Sequence, residues 1–409
     1  MTCRVFTVGT GLVMVMIVAA CGGSPARPLV TPERVTPAAS LTAGGTATTG
    51  TAFFPLGFMG PADEALFTQI AAAGFNVVYE FKSIQDIGEA EDYLNRAEKV
   101  GLKVIQNMPS CRAFESDNPI CKKWNAPVWS KGEWGNFISK LATHYNLVAW
   151  YLPDEIADYT AASNLYRWVK EYDPRQRPVY ANPGTFELER ITRLANYADF
   201  LWVACYPEYY QEPRAIVTFG MKLDATVGQY TNAEGGAILQ FFDSARFGRK
   251  RGYPTARELR ADSYQAIIGG ASGLWYFNYE MGRDLPGLWE ALVKVADEIL
   301  GSGGLNKVIL SPGVPQTISK NIVSGPSHSP MAQGQVYDSI QTLQKQHNGT
   351  YLFAVNIATG SVVVEFGTLE KATTVQVLFE SRTIPVANGS FQDSFAQDDV
   401  HIYRVITDA

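Results

Sequence analysis

The sequence predicts an α/β chain: a (β/α)8 TIM barrel followed by a small antiparallel β-sandwich. Three observations carry this. From Phe53 a strand-then-helix alternation recurs eight times within about 250 residues, the size of a closed parallel barrel. Its strand segments are uninterrupted apolar runs such as LVAWYLP at 147–153, the pattern of strands buried on both faces. Beyond Ser302 the periodicity drops to two, and His347-Asn-Gly-Thr350 and Ala387-Asn-Gly-Ser390 read as hairpin turns.

The N-terminal segment, 1–20, carries one basic residue, Arg4, ahead of an apolar run and small residues, as a signal peptide does. The run is shorter than the roughly 20 apolar residues of a membrane span. Val18-Ala-Ala-Cys21 resembles a bacterial lipobox, which implies cleavage before Cys21 and lipidation of its thiol. Residues 21–52 are rich in Pro, Thr, Ala and Gly and read as a disordered tether with a reach of roughly 30 Å. The expected location is therefore the bacterial cell envelope, lipid-anchored and outside the cytoplasm.

The barrel is assigned to 53–301. Its strands are expected at 53–59, 75–81, 102–108, 147–153, 178–182, 199–206, 236–242 and 273–279. Helices are expected at 62–73, 89–100, 131–144, 160–172, 187–195, 255–268 and 286–300, with Gly101 and Asp173-Pro174 as stop signals. An open doubly wound sheet is the competing arrangement. It would offer a Gly-rich phosphate loop after its first strand, and Leu56-Gly-Phe-Met-Gly-Pro lacks that spacing. The sandwich is assigned to 302–409, with strands at 351–356, 361–366, 374–380 and 400–406.

Composition narrows the chemistry. With 46% apolar, 18% charged and 12% aromatic residues the chain is an ordinary globular one. Its net charge of −6 has no basic run behind it, which argues against nucleic acid. Of four histidines, three lie in the C-terminal portion and His144 precedes the fourth strand, at the end away from the chemistry. A Ser-His-Asp triad or a His-rich metal site in the barrel is therefore not expected, and no cofactor or metal is implied. Proton transfer must fall to carboxylates, Tyr or Lys.

The 147–155 segment ends on adjacent acids, Asp154 and Glu155, at the carboxyl end of a barrel strand, where such folds place functional residues. The bland alternative is that both cap the helix that follows. Several stretches together resemble a clan A glycoside hydrolase with a C-terminal β-domain: Phe54-Pro-Leu-Gly-Phe, Ala73-Gly-Phe-Asn-Val, Trp150-Tyr-Leu-Pro-Asp-Glu155, Tyr172-Asp-Pro-Arg, Gly270-Ala-Ser-Gly-Leu-Trp-Tyr and Val400-His-Ile-Tyr-Arg404. The resemblance implies a carbohydrate substrate and makes Glu155 the acid/base at the end of strand four. Such a group must be protonated near neutral pH to donate to the leaving oxygen.

The same resemblance places a nucleophilic Glu on strand seven, where this chain has Gln240. An amide is neither a nucleophile nor a base. Three substitutes are open: Glu280 after strand eight, Asp243 beyond strand seven, and Glu208 after strand six. Tyr276, Asn278 and Glu280 alternate as if on one face of strand eight and are read as a cleft lining; Asp154, Glu80, Tyr206 and Gln240 join them as substrate-binding candidates. Tyr79, Tyr151, Tyr209, Tyr210, Tyr279 and the loop residues Trp124, Trp129 and Trp134 are candidate sugar platforms or core. Cys111 and Cys121 bracket one loop and are expected to form a disulfide in an exported chain, while Cys205 reads as a buried apolar residue. A sugar-binding barrel without hydrolytic activity and a purely structural envelope protein are the competing readings.

Overall fold

The computed structural model describes residues 53–60, 64–80, 86–113, 128–231, 233–331 and 334–407. The signal-peptide, lipobox and tether expectations, with Cys121 and Trp124, lie outside them. Strands β1 (Leu56–Met59), β2 (Val77–Tyr79), β3 (Lys103–Asn107), β4 (Leu147–Tyr151), β5 (Val179–Ala181), β6 (Phe200–Cys205), β7 (Glu234–Gln240) and β8 (Leu274–Phe277) pair in parallel, in sequence order. Pairing of β1 with β8, Leu56 opposite Leu274, closes the barrel. The predicted TIM barrel is the fold.

Alternation along the strands sorts the side chains into two layers. On β6, Leu201, Val203 and Cys205 face outward into the core beneath the helices. Phe200 and Trp202 belong to the other set, and they meet Tyr180 at 4.5 and 5.4 Å, while Trp202 and Trp275 lie 4.0 Å apart. Tyr79 stacks on Trp275 at 5.2 Å and meets Tyr151 at 4.4 Å. The barrel is thus filled by interlocking aromatic rings. They form a stiff floor, because each buried ring has partners on several sides and no space to reorient.

The helices outside include α1 (Glu64–Ala72), α2 (Ile87–Lys99), α3 (Ser110–Ala113), α4 (Lys131–Leu141), α5 (Tyr159–Tyr172), α6 (Leu188–Ala195), α7 (Pro207–Tyr210) and α8 (Ala215–Thr231). They continue with α9 (Ala256–Ile268), α10 (Tyr279–Gly282), α11 (Leu288–Leu300) and α12 (Asn306–Ile309). Several start where local chemistry demands. Ser130 and Glu133 make a reciprocal capping box on α4, as Thr255 and Glu258 do on α9. Helix α8 had no sequence counterpart, since its AIVTFGMKLDATVGQYT run lacks a clean polar stripe. No described helix is long and apolar enough to cross a membrane.

The C-terminal part forms a five-stranded sheet, β12-β13-β18-β15-β16, a three-stranded sheet, β17-β14-β9, and a β10–β11 pair. Here β9 is Ser319–Ser324, β10 His328–Pro330, β11 Val336–Asp338, β12 Ile340–Gln346, β13 Thr350–Asn356 and β14 Val362–Gly367. The remainder are β15 (Ala372–Val377), β16 (Arg382–Pro385), β17 (Phe391–Phe395) and β18 (Val400–Thr407). One face of the larger sheet packs on the smaller sheet through Leu352, Val364, Phe366, Val375 and Tyr403. Phe353 and Ile402, on the opposite face, join the barrel core. Arg260 on α9 donates to the Val400 carbonyl at 2.8 Å, tying the sandwich to the barrel wall.

Candidate active site

Strand β4 is fixed from both sides. The Trp150 indole N–H donates to Asp173, at the end of α5, at 2.9 Å. Tyr151 points into the aromatic floor, and the Leu152 amide still bonds Tyr180 at 2.9 Å before the chain turns. Glu155 then adopts φ +54°, a left-handed conformation that a non-glycine residue holds at some cost. Helix α5 is capped by Asp158, which accepts from the amides of Thr160 and Ala161 at 2.9 and 3.0 Å. The two acids are therefore not the helix cap.

Asp154 is built into the site through one oxygen. Its Oδ1 accepts from the Tyr151 hydroxyl at 2.7 Å and from Asn182 Nδ2 at 3.1 Å. Asn182 follows β5, and its own Oδ1 accepts from the Gly184 amide at 3.0 Å. Gly184 has φ +61°, and a Cβ there would lie 2.7–2.9 Å from the Glu155 side chain. Glycine thus lets the β5–α6 loop lie flat against Glu155.

The electrostatics divide the pair. Burial raises the carboxyl of Glu155, and the neighbouring Asp154 charge raises it further, to about 8, against a weaker opposing pull from Arg190. Glu155 Oε1 is sealed and has no hydrogen-bond partner. Burial also raises Asp154, but its two donors oppose the shift. The two donors on Asp154, with none on Glu155 Oε1, favour the charge on Asp154 and the proton on Glu155. Tyr206 and Tyr210 stack at 5.9 Å, and the Glu155 charge acts on both hydroxyls. Burial holds both phenols in the neutral, hydrogen-bonding form.

The other expected residues are dispersed. Gln240 is buried, with Oε1 accepting from the Tyr209 amide at 3.1 Å and Nε2 donating to the Phe242 carbonyl at 3.0 Å. It holds α7 and the β7 exit together. Glu208 pairs with Arg214, which also meets Glu258, Asp262 and Asp398. Asp243 accepts from the Ala245 amide at 2.8 Å as the cap of a 3₁₀ helix at Ser244–Phe247. Glu280 is exposed in the first turn of α10, where its charge reaches Tyr93 of α2.

The expected polar face of strand eight does not exist. The strand stops at Phe277. Asn278 caps α10 through the Met281 amide, and Tyr276 faces outward, its hydroxyl 2.9 Å from Ser263 on α9. Glu80 is fully buried, and its charge is felt by the Tyr79 and Tyr93 hydroxyls. Tyr79 and Tyr151 belong to the floor, and Tyr279 packs on Phe58 and Trp289 at 5.0 and 5.4 Å. Trp134 is fully buried and Trp129 packs on it at 4.9 Å. Of the expected set, Asp154, Glu155, Tyr151, Tyr206 and Tyr210 come together, joined by Asn182 and Gly184. Asn182 and Gly184 were missed; their signal was the Asn-Pro-Gly end of the fifth strand.

No protein-family model and no curated protein sequence matches the chain. Solved structures do match its fold. A family 42 β-galactosidase from G. stearothermophilus aligns with TM-score 0.56 at 8% identity, over 89% of this chain and 100% of that one. AmyP in complex with maltose aligns with TM-score 0.55 at 13% identity, over 85% and 90%. An Anoxybacillus α-amylase aligns with TM-score 0.54 at 9% identity, also over 85% and 90%. What is shared at these identities is the architecture of barrel and β-domain; the chemistry must be argued from the residues.

Proposed function

We propose that this chain is a glycoside hydrolase cleaving O-glycosidic bonds of an oligo- or polysaccharide, with Glu155 as the general acid/base. One observation carries the reading. A carboxyl at the end of β4 is pushed to about 8, beside a second carboxyl whose rise on burial is opposed by two hydrogen-bond donors. That division of labour is what proton donation to a leaving oxygen at neutral pH requires. Fold neighbours that act on sugars add support. Gln240 favours a second reading, a sugar-binding barrel that does not hydrolyse.

A glycan panel with purified protein separates the two. Glu155→Gln is expected to lower turnover by about 10²–10⁴-fold while sugar binding persists. Sugar binding with no turnover by the unsubstituted chain would leave the binding reading. We propose further that Cys21 is lipidated and that 21–52 tethers the enzyme outside the cytoplasm, with Cys111 and Cys121 closing a loop as a disulfide. These rest on the sequence pattern. Cys21→Ser should move the protein out of the membrane fraction; continued lipid attachment would overturn the anchor.

A further inference from the structure

Proton donation alone does not complete glycoside cleavage: the anomeric carbon needs a nucleophile as its bond to the leaving oxygen breaks. Among the described residues, the carboxylate that acts on Glu155 is its own neighbour Asp154. Gln240 has both ends of its amide engaged. Glu208 is held by Arg214, Asp243 caps a helix and Glu280 is exposed on α10.

Asp154 is committed differently. Both of its protein hydrogen bonds fall on Oδ1. Oδ2 makes none among the described residues. One oxygen is therefore anchored and the other is left without a protein partner, on the residue next to the proton donor. An acceptor oxygen with no protein donor, beside an acid, matches a substrate group that carries its own N–H and its own nucleophilic oxygen.

We infer that the substrate is a β-glycoside of an N-acetylhexosamine of the gluco or galacto series, whose acetamido oxygen attacks the anomeric carbon while Asp154 Oδ2 holds the acetamido N–H. The inference rests on the hydrolytic reading of Glu155. In the first step the carbonyl oxygen bonds to the anomeric carbon as the glycosidic bond breaks, and the leaving oxygen takes the Glu155 proton. The ring formed is an oxazolinium, and its positive N–H faces the Asp154 carboxylate. In the second step water adds to the anomeric carbon and gives a proton to the Glu155 carboxylate. The bond from the anomeric carbon to the former carbonyl oxygen returns its electron pair and restores the acetamide. One water is consumed, nothing is oxidised and the configuration is retained. Only the trans, β-linked anomer lets the acetamido oxygen approach opposite the leaving group.

The full-length chain tests this on nitrophenyl β-N-acetylglucosaminide and β-N-acetylgalactosaminide against the matching β-glucoside and β-galactoside, which carry hydroxyl at the same carbon. An intramolecular nucleophile should favour the acetamido pair by at least about 100-fold. Fluorinating the acetamido methyl should slow cleavage progressively, since it withdraws electrons from the attacking oxygen. Asp154→Asn should lower kcat by about 10²–10³-fold and flatten that fluorine dependence. If the hydroxyl substrates are cleaved as well or better, and Glu155→Gln abolishes this, the acetamido inference falls while the hydrolytic reading stands. A rate indifferent to fluorination also overturns it. If no glycoside of either series is cleaved although sugars bind, the hydrolytic reading fails and takes this inference with it.

Discussion

Two groups of acids sit near the carboxyl ends of the barrel strands, and the chain treats them in opposite ways. After β6, Arg214 meets Glu258 at 2.9 Å, Asp262 at 2.5 Å and Asp398 at 3.7 Å, and pairs with Glu208 as well. After β4, Asp154 and Glu155 form no ion pair among the described residues, and their polar contacts are a tyrosine and an asparagine. An arginine that gathers carboxylates fixes them as structure, here joining α7, α9 and the sandwich. The acids after β4 have no such cation, and Asp154 is held by a hydroxyl and an amide on one oxygen alone. Burial is common to both groups. The cation is what separates a clamp from a site.

The largest test of that contrast is Arg214→Met. It leaves four acids facing one another in a mostly buried pocket, and breaking a buried ion pair this way costs about 3–5 kcal/mol. The urea midpoint should fall accordingly. Glu155→Gln, at the other group, should leave the midpoint unchanged or raise it, because it removes a buried acid that no partner satisfies. Equal losses at both sites would collapse the distinction.

Acidity gives a subtler test, since each group holds one carboxyl pushed to about 8. At Asp262 burial is the main cause, opposed by Arg214. A folded-state value raised above the ordinary 3.8 means its stabilising share is complete below that value and is lost as pH rises through about 8. Asp262→Asn should flatten the fall in unfolding free energy between these limits. Glu155 is read by rate instead. As the acid it must be protonated, so kcat/KM should drop tenfold per pH unit above about 8. An alkaline limb of the rate attributable to Asp262, or a stability slope removed by Glu155→Gln, would mean the two groups are not distinct in role.

The comparison also explains what could be read from the sequence. Barrel strands were legible because continuous apolar runs between Gly and Pro signals have few other destinies. Counting them located Glu155. The strands β9 to β11 escaped because their exposed, polar residues carry little periodic signal. Partners were harder. Gln240 stands where a nucleophile was wanted, but its work is to bind two backbone groups, Tyr209 N–H and the Phe242 carbonyl, that no side-chain pattern reports. Glu208 looked available until folding brought Asp262 and Asp398 around Arg214 from distant segments.

The smallest expected effect concerns Tyr276, where an alternating pattern pointed to the wrong layer. Spacing of two from Tyr276 to Glu280 implies a shared face only while the strand continues. The strand ends at Phe277 and Asn278 begins a helix. Tyr276 instead lies between β8 and α9, fully buried, with Ser263 as its partner at 2.9 Å. Tyr276→Phe keeps the ring and its packing and removes one buried hydrogen bond, leaving the Ser263 hydroxyl its bond to the Leu259 carbonyl at 2.7 Å. The cost should be about 1 kcal/mol, visible as a small shift in the urea midpoint, with kcat and KM on the best glycoside unchanged. A change in KM without a change in stability would return Tyr276 to the cleft and place the boundary between clamp and site elsewhere.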